Sequence, residues 1–345
     1  MIPVRNIYYM LSYAFRVLQL KEYRQLATES FEKAEDLYAA ILIKGVSTQL
    51  RRGLHRDYED KREPLTCLHG KLEITESLIQ NCMQRKQIVC TYDDFSVNTQ
   101  MNQILKLTMR MLLYTDISTL RKKSLRRLWL YFSDIDDIDA HNIQWKQHYQ
   151  RNNQTYQMLL GICYLVLNSL LQNQQSGQKR FMDFMDDQKM CRLYEKFILE
   201  YYRKEHPELS AVAAQIPWVV DDSDLTGLPI MQSDICLSYN NRYLIIDAKH
   251  YTNIMQQHFG MNSMRSAHLY QIFTYVKNKE ASLAGQNHKV SGMLLYAGTN
   301  DAVQPHHTYS MSGNDIHIQT LDLNRDFSNI RASLDSICHS ILLEG

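Results

Sequence analysis

Apolar residues recur at helical spacing over several long stretches of the chain. This periodicity predicts helices over residues 5–20, 32–50, 98–115, 155–171, 188–205, 263–279 and 327–343. Shorter runs rich in β-branched and aromatic residues predict strands over residues 65–75, 87–92, 211–220, 290–297 and 315–321. Helices that alternate with strands predict an α/β fold.

One further pair of apolar runs predicts a β-hairpin. The runs are joined by an Asn-Asn pair at 240–241, and Asn tolerates the positive φ that a two-residue hairpin turn requires. Counting outward from this turn pairs Tyr239 with Arg242. The same register places Asp234 directly opposite Asp247.

Three charged side chains converge on one face of this hairpin. Lys249 shares the face of Asp247 because side chains alternate along a strand. Two acids about 5 Å apart repel each other, so we expect a positive charge between them. Carboxylates bind Mg²⁺, and a nearby ammonium can orient a water molecule or stabilise a developing anion. An Asp-x-Lys triplet at a strand end is also common as a solvated salt bridge, and the paired acid Asp234 favours the metal site.

Glu195, on the predicted helix before the hairpin, is a second candidate ligand. A salt bridge with Arg192 or Lys196 on the helix surface would also account for it. Its neighbours at helical spacing are unusually apolar for a carboxylate, and burial beside a metal would explain them: Cys191, Ile198, Leu199 and Tyr202.

Gln271 and Tyr275 lie one helical turn apart after the hairpin, so both can reach a phosphate or a metal-bound water. The histidines of the same region, His250, His258 and His268, lack ligand spacing, and we do not expect them to bind a metal. The sequence contains no Gly-x-x-x-x-Gly-Lys-Ser/Thr phosphate loop. We therefore do not expect this chain to hydrolyse a nucleoside triphosphate.

Length and composition indicate an ordinary two-domain protein. The chain has 345 residues, a net charge of +1 and seven scattered cysteines without metal-ligand spacing, which favours a reduced, cytoplasmic compartment. It lacks a signal-peptide pattern and an apolar run of membrane-spanning length, so no membrane role is expected. The polar segment 172–178 predicts a linker between domains 1–175 and 180–345. The basic run 121–127 is interpreted either as a solvated helix face or as a docking surface for nucleic acid or an acidic partner.

The acids, the lysine and their supporting residues resemble the PD-(D/E)xK nuclease superfamily in its RecB-like form. The chain also resembles the McrC family, the nuclease subunits of McrBC-type systems that restrict DNA with modified cytosine. Three segments are most similar to that family: residues 2–14, residues 180–184 with 193–197, and residues 244–251.

This resemblance implies a fold, a site and a division of labour. The N-terminal mixed α/β domain would dock on an McrB-like AAA+ GTPase hexamer and stimulate its GTP hydrolysis, with GTP bound by that partner. The second domain, a mixed sheet flanked by helices, would cut double-stranded DNA with Mg²⁺, active only with its partner, and is a candidate for self-association. The resemblance makes Asp234 and Asp247 metal ligands, with the Ala248 carbonyl as a possible third ligand. It makes Lys249 the group that orients water or stabilises charge. Glu195, Gln271 and Tyr275 would have supporting roles.

The alternative function is a catalytically silent adaptor that only activates and bridges the motor. The intact set of Asp234, Asp247 and Lys249 favours the nuclease. An adaptor has no physical reason to hold two acids opposite each other.

Overall fold

The computed structural model describes residues 2–145, 147, 149, 153–176, 187–221, 224–250, 255–258, 261–298 and 304–343. The chain divides into two compact units. One unit, Lys33–Gly177, is called the inserted unit here. The other, called the split unit, consists of Met1–Glu32 and Gln178–Gly345.

Helices and strands alternate along the chain, and each predicted helix overlaps an observed one. The helices are α1 Val4–Ala14, α2 Ala34–Arg52, α3 Ile74–Ile79, α4 Gln100–Leu113, α5 Thr119–Trp129, α6 Gln154–Ser176, α7 Asp187–Glu205, α8 Ser266–Ser282 and α9 Phe327–Cys338, which a π-helical turn, His339–Leu343, follows. The strands are β1 Asp57–Leu65, β2 Lys71–Leu72, β3 Ile88–Ser96, β4 Gln215–Ile216, β5 Met231–Gln232, β6 Ile235–Tyr239, β7 Arg242–Lys249, β8 Met255–His258, β9 Met261–Met264, β10 Lys289–Ala297, β11 His307–Met311 and β12 Asn314–Leu321.

The structure differs from the predicted division in residues 1–32, which belong to the split unit rather than to an N-terminal domain 1–175. Helix α1 packs against α7. The side-chain amide of Asn6 also donates hydrogen bonds to the carbonyls of Leu323 and Arg325, each at 2.8 Å. These partners lie far along the chain, so no local pattern could indicate them.

Three other segments differ from their predicted structure. Within the predicted strand 65–75 only Leu65 and Lys71–Leu72 lie in strands, and helix α3 already begins at Ile74. Residues 172–176 of the predicted linker continue helix α6, since Gln and Asn extend an established helix at little cost, and residues 177–178 lie outside the described residues. Within the predicted strand 211–220 only Gln215–Ile216 forms a strand. Pro217 follows and cannot donate a ladder hydrogen bond.

The inserted unit combines a helical part with a small sheet. Helices α2, α4, α5 and α6 pack against one another, with a core that includes Leu37, Ile41, Ile104 and Leu159. Strands β1, β3 and β2 form a sheet in that order. Most residues of β1 are exposed, so this sheet is a polar surface element. The basic run 121–127 lies on α5.

The split unit contains a mixed five-stranded sheet among its described residues, in the order β11-β12-β10-β7-β6. Strands β7, β10 and β12 are parallel, and β6 and β11 are antiparallel edge strands. Residues 244–248 of β7 are all buried, as expected for a central strand covered on both faces. The prediction of a mixed α/β fold is confirmed. No helix within the described residues has the length and apolar character needed to cross a membrane.

The β6–β7 hairpin has the predicted register. Asn240 adopts φ 51°, the left-handed conformation that Asn tolerates in a tight turn. Tyr239 pairs with Arg242, and the ladder continues to the pair Ile235 and Ile246. Asp234 immediately precedes β6, so the hairpin register brings it to the position of Asp247.

Gly292 allows α8 to lie close against the sheet. A Cβ at this position of β10 would lie 2.8 Å from Ile272 Cγ1 and 2.8 Å from Val276 Cγ2, both on α8. Both neighbours are fully buried, so they have little room to move. Since α8 also includes Gln271 and Tyr275, this close approach positions two of the predicted site residues.

We expect Gly292→Ala to destabilise the chain by about 1–3 kcal/mol, because the added methyl group overpacks the interface between β10 and α8. Chemical denaturation monitored by circular dichroism measures the loss. Ser282→Ala, at the exposed end of the same helix, is the control and should change the unfolding free energy by less than about 0.5 kcal/mol. Equal stability of the Gly292→Ala variant and the wild type would show that the interface is loosely packed.

Candidate functional site

Asp247 is a buried carboxylate at the centre of the predicted site. Its relative exposure is 1%, and neither carboxylate oxygen has a hydrogen-bond partner of good geometry among the described residues. The ammonium of Lys249 lies 2.9 Å from Oδ2 as an ion pair. Burial raises the pKa of Asp247 to about 7, with the charge of Lys249 opposing the shift and that of Asp234 adding to it.

Asp234 is held by the backbone of β7. Its Oδ2 accepts a hydrogen bond from the amide of Ala248 at 2.9 Å. Burial raises its pKa, while this hydrogen bond and the charge of Lys249 act in the opposite direction. The two aspartates and the lysine that the sequence predicted to converge therefore do so.

A chain of hydrogen bonds fixes the ammonium of Lys249. Lys249 Nζ donates to Gln271 Oε1 at 3.2 Å, and Gln271 Nε2 donates to the hydroxyl of Tyr275 at 3.0 Å. The hydroxyl of Tyr275 donates in turn to the carbonyl of Gln232 at 3.2 Å. The Gln271 and Tyr275 pair thus joins the site, although it contacts the lysine rather than an acid.

Glu195 on α7 lies beside the same group and is engaged by a thiol. Cys191 Sγ donates to Glu195 Oε1 at 3.1 Å and lies 3.6 Å from the carbonyl oxygen of Ala248. Burial and then the charge of Asp234 raise the pKa of Glu195. Burial also raises the pKa of Cys191 to about 12, so the thiol keeps its proton at neutral pH and can donate it. Of the predicted surface partners, Lys196 instead lies over the ring of Phe15 at 4.0 Å.

The donor atoms fit a hard divalent cation. Mg²⁺ binds through one or two carboxylates, retains several waters and favours oxygen ligands. Asp234, Asp247 and the carbonyl of Ala248 offer such oxygens, and the two unsatisfied oxygens of buried Asp247 are unfavourable without a partner. Among the described residues, no three His, Cys, Asp or Glu side chains are grouped closely enough to hold a metal ion. The arrangement is therefore an open site of two carboxylates.

Sequence reasoning missed the contacts that Cys191 and His268 make at this site. The spacing of Cys191 four residues before Glu195 was the available signal for the thiol contact. His268 Nδ1 shares a hydrogen bond with the hydroxyl of Tyr296 at 2.9 Å. Burial, and to a smaller extent the charge of Lys249, lowers the pKa of His268 to about 4. It therefore stays neutral beside the lysine. Residues 180–184 and Tyr251, which contribute to the family resemblance, lie outside the described residues.

Comparisons with known proteins agree with one another. The family described as "McrBC 5-methylcytosine restriction system component" matches residues 4–297. The chain is 30% identical over 344 residues to an Escherichia coli (strain K12) protein described as "Type IV methyl-directed restriction enzyme EcoKMcrBC", and the match covers 96% of each chain. Among solved structures, a Thermococcus gammatolerans assembly of McrB AAA+ hexamers with bound McrC matches with a TM-score of 0.50 and 17% identity, over 97% of this chain and 76% of that chain.

The raised pKa of Asp247 predicts a pH dependence of stability in metal-free buffer. Its pKa is about 7 in the folded chain and about 3.9 in an unfolded one, so the folded state binds the proton more tightly. Its contribution is complete below pH ~4 and is lost as the pH rises through about 7. Asp247→Asn removes the charge, so with a chelator present the variant should melt several degrees above the wild type at pH 8. This difference should shrink towards pH 4.

Thermal melts followed by circular dichroism test this pH dependence. Asp221→Asn, at an exposed position of the same unit, is the control and should leave the melting temperature near that of the wild type at both pH values. A Tm difference for Asp247→Asn that does not vary with pH would show that the carboxyl titrates normally.

Proposed function

The chain belongs to the family of McrBC 5-methylcytosine restriction system components, and from this membership we propose that it is the DNA-cutting subunit of a modification-dependent, type IV restriction system. In this proposal it hydrolyses phosphodiester bonds of double-stranded DNA with Mg²⁺. It also stimulates a partner GTPase. The proposed setting is the cytoplasm, where its seven cysteines stay reduced.

One observation gives the nuclease proposal its main support. Asp247 is a buried carboxylate whose oxygens lack hydrogen bonds, and a second acid, Asp234, acts on it electrostatically. The ammonium of Lys249 balances only one of these two negative charges, so the arrangement lowers stability unless a further cation compensates it. A catalytically silent adaptor would gain stability by replacing Asp247 with Asn, so a function in catalysis is the better explanation of the site.

The side chains of the site suggest how the reaction proceeds. Asp234, Asp247 and the carbonyl of Ala248 would hold Mg²⁺, which supplies Lewis-acid activation of the phosphate and of a water molecule. Lys249, fixed between Asp247 and Gln271, would orient the attacking water or stabilise the negative charge that develops on a phosphate oxygen. The water oxygen would form a bond to phosphorus and lose a proton to solvent, while the bond to one sugar oxygen breaks and that oxygen takes up a proton from solvent.

The remaining residues act through their contacts. Gln271 and Tyr275 restrain the ammonium of Lys249, so they are positioning residues. Glu195, hydrogen-bonded to Cys191, lies where its carboxyl adds negative charge near Asp234. We assign it a supporting role in metal binding.

The proposed partner is an McrB-like AAA+ hexamer that binds and hydrolyses GTP. The sequence of this chain contains no phosphate loop, which fits a subunit that relies on a separate motor. The Thermococcus assembly joins McrB AAA+ hexamers to McrC, and one of its chains has a fold similar to that of this chain. We assign docking on the motor to the inserted unit and DNA cleavage to the split unit. Self-association of the split unit is part of the same proposal.

We expect Lys249→Ala to reduce DNA cleavage about a hundredfold or more while the stimulation of GTP hydrolysis remains. The substitution removes one charge from the site without emptying a core position. The assay combines the chain with its AAA+ partner, GTP and Mg²⁺ on methylated and unmethylated DNA. The chain alone should show little cleavage and no GTPase activity.

Lys289→Ala is the matched control for this experiment. Lys289 pairs with Arg242 at the hairpin end of the sheet, whereas Lys249 pairs with Tyr296 at the opposite end. Cleavage by the Lys289→Ala variant should equal that of the wild type. Full cleavage by Lys249→Ala would rule out the assigned site, and loss of GTPase stimulation by a folded Lys249→Ala variant would show that both functions share one surface.

A fragment of the inserted unit, residues 33–177, tests the division of labour. It contains none of the proposed catalytic residues, so we expect it to bind and stimulate the motor without cutting DNA. Circular dichroism first checks that the fragment is folded, and a pull-down with the AAA+ partner then measures binding. A folded fragment that fails to bind would assign docking to the split unit. A fragment 1–174 is less suitable, because residues 1–32 pack within the split unit.

A further inference from the structure

Several positive side chains on the inserted unit have acidic partners. Arg121 pairs with Asp36, Lys33 with Asp116 and Arg62 with Glu76. Further pairs join Lys61 to Asp94 at 2.6 Å, Lys71 to Glu73 at 3.0 Å, Lys106 to Asp137 at 3.3 Å and Arg110 to Asp137 at 2.9 Å. A group of neighbouring cations without acidic partners among the described residues remains, and its position on one helix calls for an explanation.

Helix α5 contains such a cluster. Lys123, Arg126 and Arg127 are exposed, and none of them forms an ion pair with an acid among the described residues. They lie three and four positions apart, so they share one side of the helix and repel one another. A single residue of α5, Leu125, is buried. Intramolecular packing therefore does not account for the three cations.

These cations surround a cavity with an apolar lining. The cavity has a volume of about 390 Å³, and its lining also includes Leu113, Trp129 and Leu130. The indole N–H of Trp129 is buried and has no hydrogen-bond partner among the described residues. Every charged or polar side-chain group of this lining is a hydrogen-bond donor. A matching ligand must therefore provide acceptors together with an apolar group.

Large apolar side chains are also exposed on helix α5 and in the turn that follows it. Leu120 is 79% exposed, Leu130 is 70% exposed and Tyr131 is 69% exposed. Exposed apolar groups beside arginine and aromatic residues are typical of protein interfaces. We call the surface formed by Leu120, Lys123, Arg126, Arg127, Trp129, Leu130 and Tyr131 the α5 surface.

We propose that the α5 surface docks the AAA+ partner, through a segment of that partner in which an apolar side chain is flanked by carboxylates. The apolar side chain enters the cavity at Trp129 and Leu130. The carboxylates pair with Lys123, Arg126 and Arg127. This inference rests on the proposed function and identifies the residues through which the inserted unit meets its motor.

A protein partner fits this surface better than a nucleic acid. A DNA backbone supplies acceptors for Lys123, Arg126 and Arg127, but it has no protruding apolar side chain to fill an apolar cavity. It would leave Leu130 and Tyr131 exposed to water. An acidic protein segment with one apolar anchor satisfies both the charges and the apolar surface.

The experiment measures binding of the full-length chain to the AAA+ partner in the presence of GTP. The double variant Arg126→Glu with Arg127→Glu replaces attraction by repulsion, and we expect Kd to rise about tenfold or more at low salt. This difference should narrow at high salt, since exposed charges are screened. Leu130→Ser should raise Kd several-fold at every salt concentration. At saturating concentrations of these variants, the maximal stimulation of the partner's GTPase activity should remain at the wild-type level.

Two controls match these changes in the split unit. Lys21→Glu reverses an exposed charge there, and Ile230→Ser removes an apolar side chain that is 77% exposed. Both controls should bind the partner as the wild type does. A short DNA duplex is the second probe, and all the variants should bind it equally.

Three outcomes would overturn the assignment of the α5 surface. In the first, the wild-type chain binds the partner and the α5 variants bind it equally well. Docking would then lie elsewhere, and the proposed function would be unaffected. Weaker binding of the duplex with unchanged partner binding would assign the surface to nucleic acid. A wild-type chain that fails to bind the AAA+ partner would overturn both the proposed function and this inference.

Discussion

The desolvation of Asp247 is the constraint on which the arrangement of the split unit depends. A carboxylate on a strand that is buried on both faces loses its hydration, and its oxygens find no hydrogen bond of good geometry within the described residues. The structure places Lys249 beside it and orders the lysine through Gln271 and Tyr275 on α8. The close packing of α8 on β10 at Gly292 is therefore also a condition for the electrostatics of the site.

The parts of the site that the sequence predicted depend on local rules. The Asn-Asn turn sets the register of the β6–β7 hairpin, and alternation along β7 assigns Asp247 and Lys249 to one face. Helical spacing likewise places Gln271 and Tyr275 together. The hydrogen-bond partners of these residues were harder to predict from the sequence. The hydrogen bonds from Cys191 to Glu195 and from Tyr275 to Gln232 depend on how the elements pack in three dimensions.

The fold shows the same distinction between local and distant interactions. Long helices were predicted within a few residues because amphipathic periodicity is a property of one segment. The short strands β4, β5, β8 and β9 have only two to four residues each, and so little sequence contains no clear period. The assignment of residues 1–32 to the split unit depends on contacts between α1 and α7 that no segment reveals by itself. One of them is the hydrogen bond from Tyr13 to Glu205, 192 positions away.

The order in which the split unit is completed has a consequence during protein synthesis. The ribosome synthesises α1 before the inserted unit. The packing partners of α1, which are α7 and the segment at Leu323, are synthesised only after the whole inserted unit. All residues of the inserted unit have been synthesised once the chain reaches position 177. This unit can therefore fold before the packing partners of α1 have been synthesised. A chain interrupted at any point before β7 lacks Asp247 and Lys249 altogether. On the proposed function, nascent chains and chains truncated before β7 would thus be unable to cut the DNA of the cell that makes them.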